Sequence, residues 1–178
     1  NKRKSFPFLK DASTYMFVKM YNKRDKSDKS EYALIEIPSS QVDRILILPS
    51  NDKKKYLIML DDVIRYNLPQ VFSIFNYDTI EAYNIKLTRD AELDIDEDIS
   101  KSLVDKLSKG IKNRQVGEPV RFVYDDEMPK DMRMLIEKKM KLQKSDNLIP
   151  GGRYHNFKDY IAFPQIGNSK LLNPSMPP

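Results

Sequence analysis

Between Ser13 and Tyr21 the chain sets Thr14, Met16, Val18 and Met20 against Tyr15, Phe17, Lys19 and Tyr21. Successive residues of a β-strand point to opposite faces, so a side-chain period of two marks a strand. Both sets here are largely apolar. The pattern predicts a strand covered on two sides, with packed structure above and below it.

The flanking segments supply that structure. Asn22–Ser30 is a polar, charged turn, and Tyr32–Ile37 reads as a second strand ended by Pro38, making a hairpin with a long tip. Arg44–Leu48 is a short apolar strand closed by Pro49, and Tyr56–Leu60 is another. Asp61 is placed to cap a helix running to about Asn67, and a second short helix follows Pro69 through Val71 and Phe72. Tyr83–Leu93 is the clearest long strand. Tyr83, Ile85, Leu87, Ala91 and Leu93 share one face, and Asn84, Lys86, Thr88 and Asp90 the other. Arg89 falls on the apolar face, where a charge is costly unless it is paired. Either its guanidinium meets a carboxylate, such as Asp94 or one from a neighbouring strand, or it is aimed into an anion-binding cleft.

Asp96–Arg114 has the pattern of an amphipathic helix, with Ile95, Ile99, Leu103, Leu107 and Ile111 at every fourth position. Acidic residues crowd its start, and Lys109, Lys112 and Arg114 its end, as the helix dipole favours. Val120–Tyr124 is a strand with Val120, Phe122 and Tyr124 on one face and Arg121 on the other. Pro129 opens a second amphipathic helix, with Met132, Leu135, Ile136, the stem of Lys139 and Leu142 inside. A short helix is expected around Asn156–Ile161. Gly167–Pro178 carries three prolines and no periodic pattern, and reads as a linker leaving a domain of residues 1–166. A meander of strands followed by strands alternating with helices gives an α+β class, a mixed β-sheet covered by amphipathic helices.

Composition removes several classes. Of 178 residues 40% are hydrophobic, enough for a core in one domain. No run approaches the length of a membrane span, and the Asn1-Lys2-Arg3-Lys4 start leads into no apolar stretch, unlike a signal peptide. The absence of an initiating methionine suggests a piece of a longer protein. Cysteine is absent and His155 is the sole histidine, which excludes disulfides and argues against a structural zinc site. The lack of cysteine fits a cytoplasmic origin. The net charge of +5 favours anionic partners. The densest basic spots, Lys53-Lys54-Lys55 and Lys138-Lys139 with Lys141 and Lys144, read as solvated faces. The aromatic residues lack the paired-strand pattern of an RNA-binding sheet, so no nucleic acid is expected as partner.

The densest chemistry lies in Pro150–Tyr160, PGGRYHNFKDY. Gly151-Gly152 gives the backbone unusual freedom. A helical turn following it would offer N–H groups beside Arg153 and Lys158 for a phosphate or carboxylate. The alternative is a loop in which the glycines make the turn and Tyr154 and Phe157 plug a core edge. No G-x-x-x-x-G-K loop, G-x-G-x-x-G turn or G-x-S-x-G elbow occurs. The Asp94–Asp98 acidic run lacks the glycine and terminal glutamate of a calcium loop and reads as a helix start. Residue chemistry alone describes a module without a self-contained active site: no catalytic residue and no metal ligand is assigned.

Six segments nevertheless carry a resemblance: Phe6-Pro7-Phe8, Tyr32–Pro38, Leu60–Arg65, Lys86–Glu92, Glu118–Tyr124 and Pro150–Phe157. In this order they resemble the bacterial long-chain polyphosphate kinase family, over nearly the whole chain. Lys4-Ser5 stands where many members have His-Pro. The resemblance implies the middle, or head, domain of such a kinase, with a fold similar to small phosphohistidine phosphatases. It implies a parent that uses ATP and magnesium to move a phosphoryl group through a phosphohistidine onto polyphosphate. The phosphoryl-accepting and second catalytic histidines and the magnesium-linked arginines would lie in two C-terminal domains, and the adenine contact in an N-terminal one. His155 does not inherit the phosphohistidine role. The head domain is associated with homodimer contact, so the implied partners are the parent's N-terminal and C-terminal domains, a second copy, and polyphosphate and ATP through the parent. Such a parent is cytoplasmic, with peripheral membrane association left open. Polyanion-binding candidates, by charge and context, are Arg89, Arg121, Arg153 and Lys158. Two rivals stand beside this reading: a free-standing anion-binding module for nucleic acid or acidic protein, and a small phosphohistidine phosphatase using His155.

Overall fold

The computed structural model describes residues 6–24, 29–89, 119–142, 147–154, 156–168, 170 and 173. The helix expected over Asp96–Arg114, the Asp94–Asp98 run, His155 and most of the 167–178 linker lie outside them. In chain order the elements are β1 (Thr14–Tyr21), β2 (Glu31–Glu36), β3 (Ile45–Leu48), β4 (Tyr56–Met59), α1 (Leu60–Tyr66) and α2 (Leu68–Val71). They continue with β5 (Thr79–Arg89), β6 (Pro119–Asp125), α3 (Lys130–Met140), β7 (Asn147–Gly151) and a 3-10 helix, Phe157–Ala162.

Five strands form one sheet in the order β2-β1-β5-β6-β7, and β3 and β4 form a separate antiparallel pair. β6 and β7 run parallel while the other neighbours are antiparallel, so the sheet is mixed and the α+β class holds. β1 is the hinge of the design, because its two apolar faces enter two different cores. Tyr15 and Phe17 pack with Ile85, Leu87, Phe122 and Tyr124 beneath Met132 and Ile136 of α3. Met16, Val18 and Met20 pack with Ala82, Leu60 and Leu68 beneath α1, α2 and the β3–β4 pair. The two-sided strand expected from the sequence is therefore present. Lys19, on the α3 side, answers its own burial with a 2.6 Å ion pair to Asp131.

β5 starts at Thr79, earlier than apolar content alone suggests, because pairing with β1 runs the full length from Thr14–Lys86 to Tyr21–Thr79. β7 is not anticipated in the sequence. Its five residues include Pro150, which donates no ladder hydrogen bond and is tolerated where a strand forms an edge. Asp61 does not cap α1. The N-cap position is Met59, without a side-chain cap bond, and Asp61 sits inside the first turn with its carboxylate pulled into the interior.

α3 allows a comparison on one helix, since Met132 is fully buried and Met134 is 55% exposed. Met132→Ala removes atoms from a filled site and should cost about 2–5 kcal/mol. Met134→Ala should stay within about 0.5 kcal/mol. Urea unfolding of the two variants checks the assignment of the inner face, and equal losses would refute it.

Candidate functional site

The face of β5 and β6 below α1 changes character along its length. Ile80 and Ala82 belong to the apolar core, but the next residues on the same side are Asn84, Lys86 and Thr88. β6 adds Arg121, Val123 and Asp125 alongside, with Lys86 opposite Val123 and Thr88 opposite Arg121. This polar half of the sheet is roofed by the segment from Arg153 to Ala162, the sequence stretch densest in chemistry.

A buried network fixes the roof. Arg44, just before β3, donates from Nε to Asp61 Oδ2 at 2.6 Å and from Nη2 to Asp61 Oδ1 at 2.7 Å. Asn84, fully buried, donates from Nδ2 to Asp61 Oδ1 at 2.7 Å and to the Arg153 carbonyl at 2.9 Å. Arg44 Nη1 lies 3.0 Å from Asp159 Oδ2 in the roof. Asn156 accepts from Lys86 Nζ at 2.6 Å and donates to Asp159 Oδ1 at 2.7 Å. Tyr154 donates its hydroxyl to Asp62, and burial followed by that bond raises the phenol above its ordinary value. Arg65 donates to the Ala82 carbonyl and, at 3.4 Å, to Asn84 Oδ1.

The glycine pair does not create this geometry through unusual backbone. Gly151 ends β7, and neither glycine has a positive φ. The loop alternative fares no better in one respect: Tyr154 is tucked in, but Phe157 is 82% exposed and plugs nothing. The short helix expected there is present as Phe157–Ala162.

The four candidate cations fall in three places. Arg89 lies on the α3 side. Its side chain donates to the Leu9 carbonyl at 3.3 Å and stacks over the Phe8 ring at 4.4 Å, and its backbone N–H donates to Asp11. Arg153 lies beside a groove of about 790 Å3 lined by Arg65, Tyr66, Phe72, Tyr83 and Glu127. Its guanidinium lies 3.9 Å from Asp62 and 4.0 Å from Glu127 and interacts with the Tyr154 side chain, while Asn84 holds its carbonyl. Arg121 and Lys158 occupy exposed positions around Lys86. Burial pushes the Lys86 ammonium below its ordinary value of 10.5; Asp159 opposes the shift, and the positive charges of Lys158, Arg121 and Arg44 reinforce it. Arg44 is engaged by Asp61 and Asp159; among the described residues Lys86, Arg121 and Lys158 are the other cations gathered here. Among the described residues no group of three His, Asp or Glu side chains is spaced to hold a metal ion. Also among them, no helix is long and apolar enough to cross a membrane.

Residues 1–163 match the family model described as the polyphosphate kinase middle domain. The chain belongs to the polyphosphate kinase family. It is 45% identical over 174 residues to a polyphosphate kinase of Vibrio parahaemolyticus, covering 96% of this chain and 24% of that protein. It is 42% identical over 173 residues to that of Escherichia coli, covering 96% and 25%. The crystal structure of the polyphosphate kinase from Porphyromonas gingivalis matches with a TM-score of 0.69 at 25% identity, over 97% of this chain and 23% of that one. The chain thus spans about a quarter of the length of these relatives.

Membership in this family places the polar half-sheet in a middle domain, but residue types alone do not reveal its arrangement. Lys86 was readable as the polar side of a strand, whereas Arg44 and Asp61 are distant in sequence and carry no motif. Their closeness follows from the β3–β4 pair bringing Arg44 beside the start of α1, where the Leu60 N–H donates to the Arg44 carbonyl at 2.8 Å.

Removing one member of a buried ion pair strands its partner, at a cost of about 3–5 kcal/mol, whereas replacing both with apolar groups is far less damaging. Arg44→Met should therefore destabilise the domain by about that amount, and Arg44→Met with Asp61→Leu should lose less than the single variant. A Cβ added at Gly152 meets nothing within 4 Å, so Gly152→Ala should change stability by no more than about 0.5 kcal/mol. Chemical denaturation of the three variants reads both statements.

Proposed function

We propose that this chain is a non-catalytic head domain within an ATP-dependent polyphosphate kinase, and that its face of Lys86, Arg121 and Lys158 steers the polyphosphate chain. The parent would transfer the terminal phosphoryl group of ATP through a phosphohistidine to polyphosphate, with the reacting groups on two domains that follow this one. The observation that carries the steering role is Lys86. It sits half-buried, and burial first lowers its ammonium below the ordinary value, with repulsion from Lys158 and Arg121 adding to the shift and Asp159 opposing it. A polyanion laid along Lys86, Arg121 and Lys158 would relieve that repulsion by charge-assisted hydrogen bonds. The same parent is proposed to be cytoplasmic and to work as a dimer. The outer edge of β2, unpaired among the described residues, is a surface on which a second copy could add.

Replacing Lys86, Arg121 and Lys158 together by Gln should weaken polyphosphate binding by at least about tenfold, the equivalent of one charge-assisted contact. The same charge change at the exposed Lys53, Lys54 and Lys55 controls for net charge. Binding should fall steeply with salt, because polyanion affinity comes largely from counterion release. Equal weakening by both triple variants would remove the steering face. Preference for a nucleic acid over polyphosphate at matched charge would favour a nucleic-acid module, and hydrolysis of a phosphohistidine peptide lost in His155→Ala would favour a phosphatase.

Lys86 also gives a pH dependence with a definite sign. Its folded value lies below 10.5, so the unfolded chain binds the proton more tightly. Between the folded and unfolded values stability rises with pH. Wild type should gain stability relative to Lys86→Met as pH rises toward 10.5, read from denaturation midpoints; a constant difference would refute the lowered Lys86 value.

A further inference from the structure

The Phe157–Ala162 helix is amphipathic in the wrong sense for a domain that stands alone. Its inward side is polar: Asn156 is bonded to Lys86, and Asp159, only 10% exposed, reaches Arg44. Its outward side is apolar: Phe157 is 82% exposed, Tyr160 43%, Ile161 85% and Phe163 49%. Phe157 and Tyr160 sit side by side, ring centroids 6.2 Å apart, and the exposed Ile161 follows directly in the chain. The helix cannot roll its apolar side inward without breaking the bonds that anchor it. Contiguous apolar patches of this kind on otherwise polar domains mark surfaces that another layer covers.

We propose that Phe157, Tyr160, Ile161 and Phe163 form the seat of an intramolecular interface, covered by the polypeptide that follows this chain in the full-length kinase. The proposal rests on the reading of the chain as the head domain of a larger enzyme. Two observations select this occupant over a second copy. Phe163 is the last residue matched by the middle-domain family model, so the patch lies at the domain's boundary, and the chain spans only about a quarter of its relatives. A segment tethered that close acts at a high effective concentration and needs little contact area to stay docked. The patch is also almost free of charge, since Asp159 turns inward to Arg44. Lys158 alone interrupts it, and that side chain belongs to the cationic face. Docking here would set the orientation of the next domain through Asn156 and Asp159, the same groups that hold Lys86 and Arg44.

A photo-crosslinking residue, p-benzoylphenylalanine, is placed at position 157 of the full-length kinase, irradiated, and the products are mapped by mass spectrometry. The expected result is an intramolecular crosslink to residues beyond Pro178, unchanged on dilution. A crosslink between two copies, a crosslink to residues preceding this chain, or none at all would overturn the proposal. Hydroxyl-radical footprinting of the unsubstituted kinase keeps the test independent of the substitution. Phe157, Tyr160, Ile161 and Phe163 should lose reactivity relative to the urea-unfolded enzyme, at concentrations where sedimentation shows no further association. Full reactivity at these residues, or protection that appears only on self-association, would equally overturn it. Loss of the steering role leaves these readouts untouched, because they require neither polyphosphate nor turnover, so the two readings fail separately.

Discussion

Asp61 has no exposed surface, and a carboxylate in that position has to be answered by partners fixed in place. Arg44 answers it with two parallel donors and Asn84 with a third. Those three residues come from the start of α1, the approach to β3 and the middle of β5, so one anion locks the small β3–β4 pair to the large sheet. The same lock extends outward: Asn84 holds the Arg153 carbonyl and Arg44 reaches Asp159, and through these bonds the segment after β7 is held over the polar half of the sheet. A buried pair of this type is weak evidence for net stability, since an apolar replacement can do as well. What it supplies here is position, because an apolar cluster has no direction and would not place Asn156 against Lys86.

The two halves of that sheet face are accordingly held by different physics. Where Met16, Val18, Met20 and Ala82 meet Leu60 and Leu68, burial of apolar area is enough and tolerates conservative repacking. Where Asn84, Lys86, Arg121 and Asp125 form the floor, each polar group needs an assigned partner, so substitutions there act through unmet bonds rather than lost volume. On the opposite face a third device appears. Arg89 stacks on Phe8 and takes the Leu9 carbonyl, so a cation fastens the chain before β1 across the edge of the α3 core.

The sequence announces those parts of this fold whose cause is periodic. β1 shows its two buried faces and α3 its stripe, because the period that buries a side chain is also the period visible in the sequence. β7 escaped because its role comes from a neighbour: Leu148 and Ile149 pair with Phe122 and Val123, and nothing local says that a strand containing Pro150 runs parallel to β6. Asp61 reads as a helix cap in the sequence because position relative to an apolar run is all that sequence offers. Its true partner, Arg44, is 17 residues away and becomes adjacent only after β3 and β4 pair. The site was legible in the same uneven way. Arg121 and Lys158 can be named from charge, but their meeting around Lys86 depends on strand register and on the roof segment, and Arg89 and Arg153 lie elsewhere on the domain.

The roof segment therefore carries two demands that pull against a free-standing fold. Its inner side is polar and accepts a hydrogen bond from the half-buried Lys86, and its outer side leaves Phe157 and Ile161 in water. A sequence selected only for the stability of these residues would make the opposite choice on both sides, with apolar groups inward and charges outward. Local conflict of this kind concentrates where a domain does work for something beyond itself. Here both conflicts sit on one short helix held by Asn156 and Asp159. Any partner that covers the outer side, and any anion that lies against Lys86, would act on the same pair of hydrogen-bonded side chains. Both sides of the helix thus depend on the Arg44–Asp61–Asn84 network beneath it, which fixes Asp159 and the Arg153 carbonyl.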